Sequence, residues 1–301
     1  MIIVYCQSPL DKKQPDEMYR AEAEASASIG FARRLIDFEA LANEENIEKC
    51  LRLIPHSAVK LFGVYRGWMM SPSKYEKLFN GLAAKGITLI NNPEQYKHCH
   101  YLPEWISEIG DQTPRSSVLA LDSAEQLSSE LLKDCLASFG SNPIIVKDFV
   151  KSEKHHWEDA CFIQNASDLE HAMKVCRRFL ELRGTDLEGG LVFRKFMNFK
   201  KLGIHPKSKM PLTEEFRAFV LEGRLMSVMK YWDEVQYPAE AVSFNSLLNS
   251  VASVPSNFFT VDFARLETGE WMIIELGDGQ VAGLPDNMDT TNFYKALRQL
   301  D

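Results

Sequence analysis

The sequence predicts an α/β + α+β chain: a small α/β domain over residues 1–112, then a module over 113–301 with two antiparallel sheets. Three observations carry that reading. Short β-branched runs alternate with helical stretches through the first 112 residues, the order that builds a parallel, doubly wound sheet. Past residue 188 strands crowd together, and Glu222-Gly223 and Thr268-Gly269 join two pairs of them as tight hairpins. The length, 301 residues, suits two domains of roughly 100–200 residues. The second module divides into 113–187 and 188–301.

In order, Ile2–Tyr5 reads as a buried strand. Pro15 to Ala32, rich in Ala and Glu, reads as a helix with Pro15 in its first turn. Arg34–Phe38 is a strand, Glu44–Leu53 a helix stopped before Pro55, and Val59–Tyr65 a second strong strand. Ser71 to Lys85 is a helix with Ser71 as N-cap, Pro72 at its first position and Gly86 as its stop. Ile87–Ile90 is a short strand closed by Asn91, Asn92 and Pro93.

The second module opens with a strand at Ser117–Ala120. A helix follows over Ser123–Ser138, with Ser123 as cap and Gln126 at the capping-box position. Pro143–Lys147 and Ala160–Gln164 are strands, and Ser167–Arg183 is a helix with Glu170 at its third position. Strands then run over Leu191–Met197, Glu215–Leu221, Leu225–Tyr231, Phe258–Leu266 and Trp271–Leu276, with helices at Glu240–Ser250 and Thr291–Leu300.

Composition excludes several classes. Hydrophobic residues make up 45% and charged residues 25%, the balance of a folded globular chain. A net charge of −8 argues against a general nucleic-acid binder, which needs clustered cations. The six cysteines form no C-x-x-C pair and sit largely in apolar runs, which fits a reduced, cytoplasmic compartment. The N-terminal run is too short for a signal peptide, and no apolar run approaches a membrane span.

The strongest chemical signal is a carboxylate in each of two apolar strands joined by a hairpin. Asp262 lies in Val261-Asp262-Phe263-Ala264, and Glu275 in Ile273-Ile274-Glu275-Leu276, ahead of Gly277-Asp278-Gly279. Such a carboxylate is costly unless paired or bound to a cation, and hard oxygen ligands in small number suit Mg²⁺ shared with phosphates. The plainer alternative is two solvated strand ends. Lys147 ends an apolar strand and is followed by Lys151, Lys154, His155 and His156, a basic loop able to close over phosphate. Alternation puts Glu215 and Arg217 on one strand face, where Arg217 can reach a phosphoryl group.

Weaker features remain. His98-Cys99-His100 puts two imidazoles on one strand face, with no further ligand at metal spacing. Arg66, after a strand, either meets an acidic substrate or is a structural Arg packed on Trp68. Lys200, Lys201, Lys207 and Lys209 flank a solvated loop.

These residues, in this order, resemble the ATP-grasp superfamily, and in finer text its Arg-and-two-Lys clade. The matching pieces are Tyr65-Arg66-Gly67-Trp68-Met69, Val146-Lys147-Asp148-Phe149-Val150-Lys151-Ser152, Arg194-Lys195-Phe196-Met197, Glu215-Phe216-Arg217, Val261-Asp262-Phe263, and Glu275 through Leu284. The resemblance implies a pre-ATP-grasp domain followed by an ATP-grasp domain. It implies ATP phosphates on Lys147 and Lys151, adenine at a hinge of Lys195, Phe196 and Met197, and Arg194, Glu215 and Lys230 bordering the nucleotide. Arg217 steadies the transferring phosphoryl group, Asp262 and Glu275 hold Mg²⁺, and Arg66 and His155 meet substrate. The implied reaction is ADP-forming ligation through an acyl-phosphate. A small-molecule, amino-acid, peptide or protein carboxylate is joined to an amine, with no nucleic acid or membrane involved; a homodimer is left open. The chain departs from the family at Gly277, where many members carry a metal-binding Asn; Asp278 or a water would substitute. That departure keeps two rivals in view: a non-catalytic nucleotide-binding module acting through a partner, and an ATP-grasp enzyme with a nucleic-acid or other phosphoryl acceptor.

Overall fold

Ile2–Cys6 (β1) is apolar at nearly every position because both of its faces are covered, and all five residues are buried. In the computed structural model, which describes residues 1–206, 211–238, 245–284 and 288–300, β1 pairs in parallel with Ala32–Ile36 (β2) and Leu61–Arg66 (β3). Ile87–Leu89 (β4) pairs with β3, giving the order β2-β1-β3-β4. The helices of this region are α1 (Arg20–Ile29), α2 (Phe38–Ala42), α3 (Ile47–Cys50), α4 (Pro72–Ala84), α5 (Pro93–His100) and α6 (Leu102–Ile109).

Local chemistry moved several expected boundaries. Asp16 caps a single 3₁₀ turn before α1, which stops where Gly30 takes a left-handed φ of 92°. Asp37 accepts from Ala40 N and caps α2, so strand β2 ends at Ile36 instead of running to Phe38. The expected Glu44–Leu53 helix shrinks to α3, capped by Asn46. Asn92 and Gln95 form a reciprocal capping box with Pro93 in the first turn, and α5 follows. His98, Cys99 and His100 are therefore helical, which corrects the strand-face reading. His98 pairs with Glu108 at 3.3 Å, and His100 is buried between Tyr96 and Tyr101.

Next come β5 (Ser116–Ala120), α7 (Ser129–Leu136), β6 (Ile144–Lys147), β7 (Phe162–Ile163), α8 (Leu169–Arg183) and β8 (Gly190–Lys195). The strands form an antiparallel sheet ordered β5-β8-β6-β7. Ser128 caps α7 after a 3₁₀ turn at Ala124–Gln126, displacing the start expected at Ser123. Trp157–Cys161 coils into a π-turn, which leaves β7 two residues long. Asp168, not Ser167, caps α8.

A two-stranded ribbon, β9 (Lys201–Ile204) and β10 (Pro211–Thr213), replaces the expected loop around Lys200 and Lys201; Lys207 and Lys209 lie outside the described residues. The remaining strands, β11 (Glu215–Leu221), β12 (Arg224–Lys230), β13 (Phe258–Arg265) and β14 (Trp271–Asp278), form the second antiparallel sheet in the order β12-β11-β13-β14. Glu222 and Gly223 both take positive φ, 47° and 71°, the pattern of a two-residue type I′ hairpin. Helices α9 (Asn245–Ser250) and α10 (Thr290–Leu297) complete the chain; the earlier part of the expected Glu240–Ser250 helix lies outside the described residues.

The C-terminal helix packs back on the N-terminal sheet. Phe293 and Leu297 of α10 are fully buried with Ile3, Tyr5, Phe219 and Phe258, each of the two contributing about 1.5–3 kcal/mol. Beneath them Arg66 Nε and Nη2 donate to both Glu22 oxygens at 2.8 Å, and Tyr294 donates to Glu22 at 2.6 Å. Among the described residues no helix is long and apolar enough to cross a membrane.

Candidate active site

Strand register builds one wall of the site. Arg217 on β11 pairs with Asp262 on β13, which pairs with Glu275 on β14, so the three stand in a row across the sheet. Directly opposed residues share a face. Next to this row the register slips, with Asp262 opposite Glu275 but Phe263 opposite Ile273. The extra residue, Ile274, exposes its carbonyl, which accepts from Arg194 Nη1 of β8 at 2.7 Å. The other sheet supplies the facing wall. Lys147, at the end of β6, places Nζ 3.1 Å from Glu275 Oε1. Between the walls lies a cleft of about 400 Å³, rimmed by Lys151, Ser152, Lys154 and His155. The buried Asp148 holds that rim by accepting from the amides of Val150 and Lys151 and from Arg183.

Charge is concentrated here. Arg217 donates from Nε and Nη2 to the two Asp262 oxygens at 2.8 and 2.7 Å, a fork-on-fork pair. Burial raises the Asp262 pKa above the usual carboxylate value even against Arg217, whereas Arg217 is held more firmly protonated by Asp262 despite burial. At Glu275 burial pushes upward but Lys147 and Lys154 outweigh it, and the carboxyl falls to about 2. Its side chain remains 42% exposed, toward the cleft. Burial lowers the Lys147 ammonium, opposed by Glu275. Burial pushes Glu215 up to about 7, helped by Asp262.

The residues fit Mg²⁺ and a nucleotide. Mg²⁺ takes one or two protein carboxylates and completes its shell with phosphate and water. Asp262 and Glu275 are cross-strand partners in one cleft, and among the described residues no cluster of three or more His, Cys, Asp or Glu forms a protein-only metal site. Buried Arg194 Nε has no hydrogen-bonding partner among the described residues, although Nη2 is held by Thr113 at 2.7 Å. A buried donor without an acceptor, in a cleft lined by Lys147, Lys151 and Lys154, suits an anion.

The structure gathers Lys147, Lys151, His155, Arg194, Arg217, Asp262 and Glu275 around this cleft. Asp278 also borders it but is not available in the way expected. It is fully buried, accepts from Asn91 Nδ2 at 2.6 Å and from Gln280 N at 2.9 Å, and sits one strand position off the face of Glu275 and Gly277. Burial raises it to about 6. Arg66 does not face substrate: it is fully buried on Glu22 and on the carbonyls of Gly279 and Gln280. Lys195, Phe196, Met197, Glu215 and Lys230 lie outside the cleft lining. The amides of Lys195 and Phe196 already donate to Arg115 and Pro143. Lys230 shares a face with Phe216 and packs over Tyr237, so Tyr231 lines the cleft instead, with Arg217 5.1 Å above its ring. Sequence reasoning missed Tyr231 and Thr260 as lining residues; His100, considered there only as part of a metal pair, lines the cleft too. Thr260 explains Gly277: a Cβ there would lie 2.7 Å from Thr260 Oγ1. The hydroxyl stands where a side chain at 277 would begin.

Two antiparallel sheets closing on a cleft, with lysines on one and paired carboxylates on the other, are the architecture of the ATP-grasp class. The ATP-grasp domain family described as family 3 of the Arg-and-two-Lys clade matches residues 138–297, and the chain belongs to it. The family is one of ATP-grasp domains, and its match takes in β6, β8, β11, β13 and β14, the strands that carry the cleft. No curated protein matches it in sequence. Similar solved structures include D-cycloserine synthetase DcsG, at 13% identity and a TM-score of 0.60, covering 100% of this chain and 99% of that one. The ATP-grasp ligase PsnB, complexed with a phosphomimetic variant of its minimal precursor, Mg and ADP, gives 13% and 0.57, covering 99% and 96%. A RimK domain ATP-grasp protein from Sphaerobacter thermophilus gives 12% and 0.59, covering 99% and 100%.

Proposed function

We propose that the chain is an ADP-forming carboxylate–amine ligase that activates the carboxylate of an amino acid, peptide or protein as an acyl-phosphate for attack by an amine. The observation that carries this is the facing of Lys147 on one sheet by Asp262 and Glu275 on the other, across one cleft. Asp262 and Glu275 would hold Mg²⁺. Arg217 uses one lone pair on each Asp262 oxygen, which leaves the others free for a cation. When bound, Mg²⁺ offsets the negative charge of the phosphates. Lys147, Lys151 and Lys154 steady those phosphates, and Arg194 Nε supplies the unused donor. Glu275 stays ionised at any working pH, because its pKa lies near 2.

The relatives in structure add support. PsnB was crystallised with its minimal precursor, Mg and ADP, and the macrocyclase MdnC with its precursor peptide. A peptide carboxylate is therefore the first substrate to try. Six free cysteines, five of them buried, fit the reducing cytoplasm. The test is incubation with ATP, Mg²⁺ and pools of amino acids or peptides, with hydroxylamine as the trapping amine. Hydroxamate and ADP formed together support ligation. ATP binding without either product, unchanged by Glu275→Gln, would replace it with the non-catalytic module that Gly277 suggests.

A further inference from the structure

The cleft is lined from two modules. Its cations, Lys147, Lys151, Lys154, Arg194 and Arg217, all come from the second, and among the described residues the first module adds only Met69 and His100. His100 ends α5 and is 7% exposed, yet it lines the cleft. Its ring is held on both sides, 5.1 Å from Tyr96 and 5.8 Å from Tyr101 between centroids. Tyr96 is itself stacked on Tyr75 at 4.0 Å, with its hydroxyl tied to Met70 N and O, and Tyr101 donates to Glu188. Leu102 N donates to Phe149 O at 2.9 Å, which fastens the corner after His100 to the loop carrying Lys151. A ring fixed in this way loses little freedom on meeting a ligand.

The polar atoms of that ring are unspent. Among the described residues neither ring nitrogen makes a hydrogen bond, and neither is sealed in the core. Burial, with Lys151 next, lowers the pKa to about 4, so the imidazole is neutral at neutral pH. It therefore offers one N–H donor and one lone pair. Such a donor suits a carboxylate that must attack phosphorus. It orients an oxygen without the full positive charge with which an ammonium would blunt its nucleophilicity.

We propose that His100 is the first module's contact with substrate, its ring N–H donating to the carboxylate that the ligase activates. The fate of that carboxylate rests on the ligase reading; its binding at His100 does not.

The test is nitrogen-15 NMR of the full chain labelled at histidine, with Mg²⁺–ADP present, titrated with acetate, the smallest carboxylate probe, and with acetamide as the uncharged control. The His100 signal is the one lost in either His100→Phe, which keeps a ring between the tyrosines, or His100→Gln. Acetate should move that signal saturably and acetamide should not. By calorimetry His100→Phe should weaken acetate roughly tenfold, as for a hydrogen bond to a charged group, and His100→Gln, which restores an N–H, should recover part of the loss. Mg²⁺–ATP affinity and melting temperature should hold in both variants, whereas a merely structural ring would move them. No shift with acetate, an equal shift with acetamide, or acetate affinity indifferent to His100→Phe overturns the proposal. Hydroxamate formation separates it from the ligase reading. Acetate bound at His100 with no hydroxamate from any carboxylate pool sinks the ligase alone. Hydroxamate formed as fast by His100→Phe as by the unsubstituted chain sinks His100 alone.

Discussion

Replacing Arg217 with Gln removes one half of a buried, doubly hydrogen-bonded pair and leaves Asp262, 3% exposed, without its cation. Breaking such a pair from one side costs about 3–5 kcal/mol. The Arg217 side chain is 20% exposed, which places the loss near the lower end, about 3 kcal/mol at neutral pH. In a chain of this size that lowers the melting temperature by about 5 °C. The loss depends on pH with a definite sign. Burial already holds the Asp262 pKa above its ordinary value, and removing Arg217 raises it further. A carboxyl raised in the folded state contributes most stability below its unfolded pKa and loses it as pH rises through the folded one. The difference between variant and wild type should therefore shrink on acidification. Mg²⁺ in hundredfold excess over its dissociation constant would restore about 2.7 kcal/mol. Calorimetric melting at several pH values, with and without Mg²⁺, checks all three parts. A loss under about 0.5 kcal/mol, the size of an ordinary surface change, or one that grows as pH falls, refutes the reasoning.

Other expectations are narrower. Lys147→Met should weaken Mg²⁺–ATP about tenfold or more by calorimetry, since a hydrogen bond to a charged group is worth roughly 1.5–3 kcal/mol. Arg66→Lys should destabilise by about 3 kcal/mol in denaturant unfolding, because one ammonium cannot reproduce the fork onto Glu22 together with the Gly279 contact. Glu215 is raised to about 7, so its contribution to stability falls as pH climbs through 7; Glu215→Gln should flatten that decline in melting curves.

The pair Asp262 and Glu275 was legible in the sequence because a carboxylate inside an apolar strand needs a partner, and the hairpin between them fixes which strands meet. Lys147 was legible for the same reason. The hairpin at Glu222-Gly223 was legible from Gly223, which suits the positive φ of the second turn position, while Glu222 takes a positive φ that its residue type does not favour. What failed depended on distant partners. Arg66 looks like a free cation until Glu22, 44 positions away, is folded beneath it. Asp278 looks like a ligand until Asn91 and Gln280 occupy its oxygens. Lys230 and Tyr231 differ only by which face the register gives them. Helix α5 was readable from Asn92, Pro93 and Gln95, whose capping box the sequence already contained.

The central claim is that one cleft holds Mg²⁺–ATP between Lys147 and the Asp262–Glu275 pair. A crystal structure with a non-hydrolysable ATP analogue and Mg²⁺ tests it most directly. The account predicts the ion about 2.1 Å from oxygens of Asp262 and Glu275, with a phosphate on Lys147. A nucleotide bound elsewhere, or an ion on Asp278 without Asp262, would contradict it.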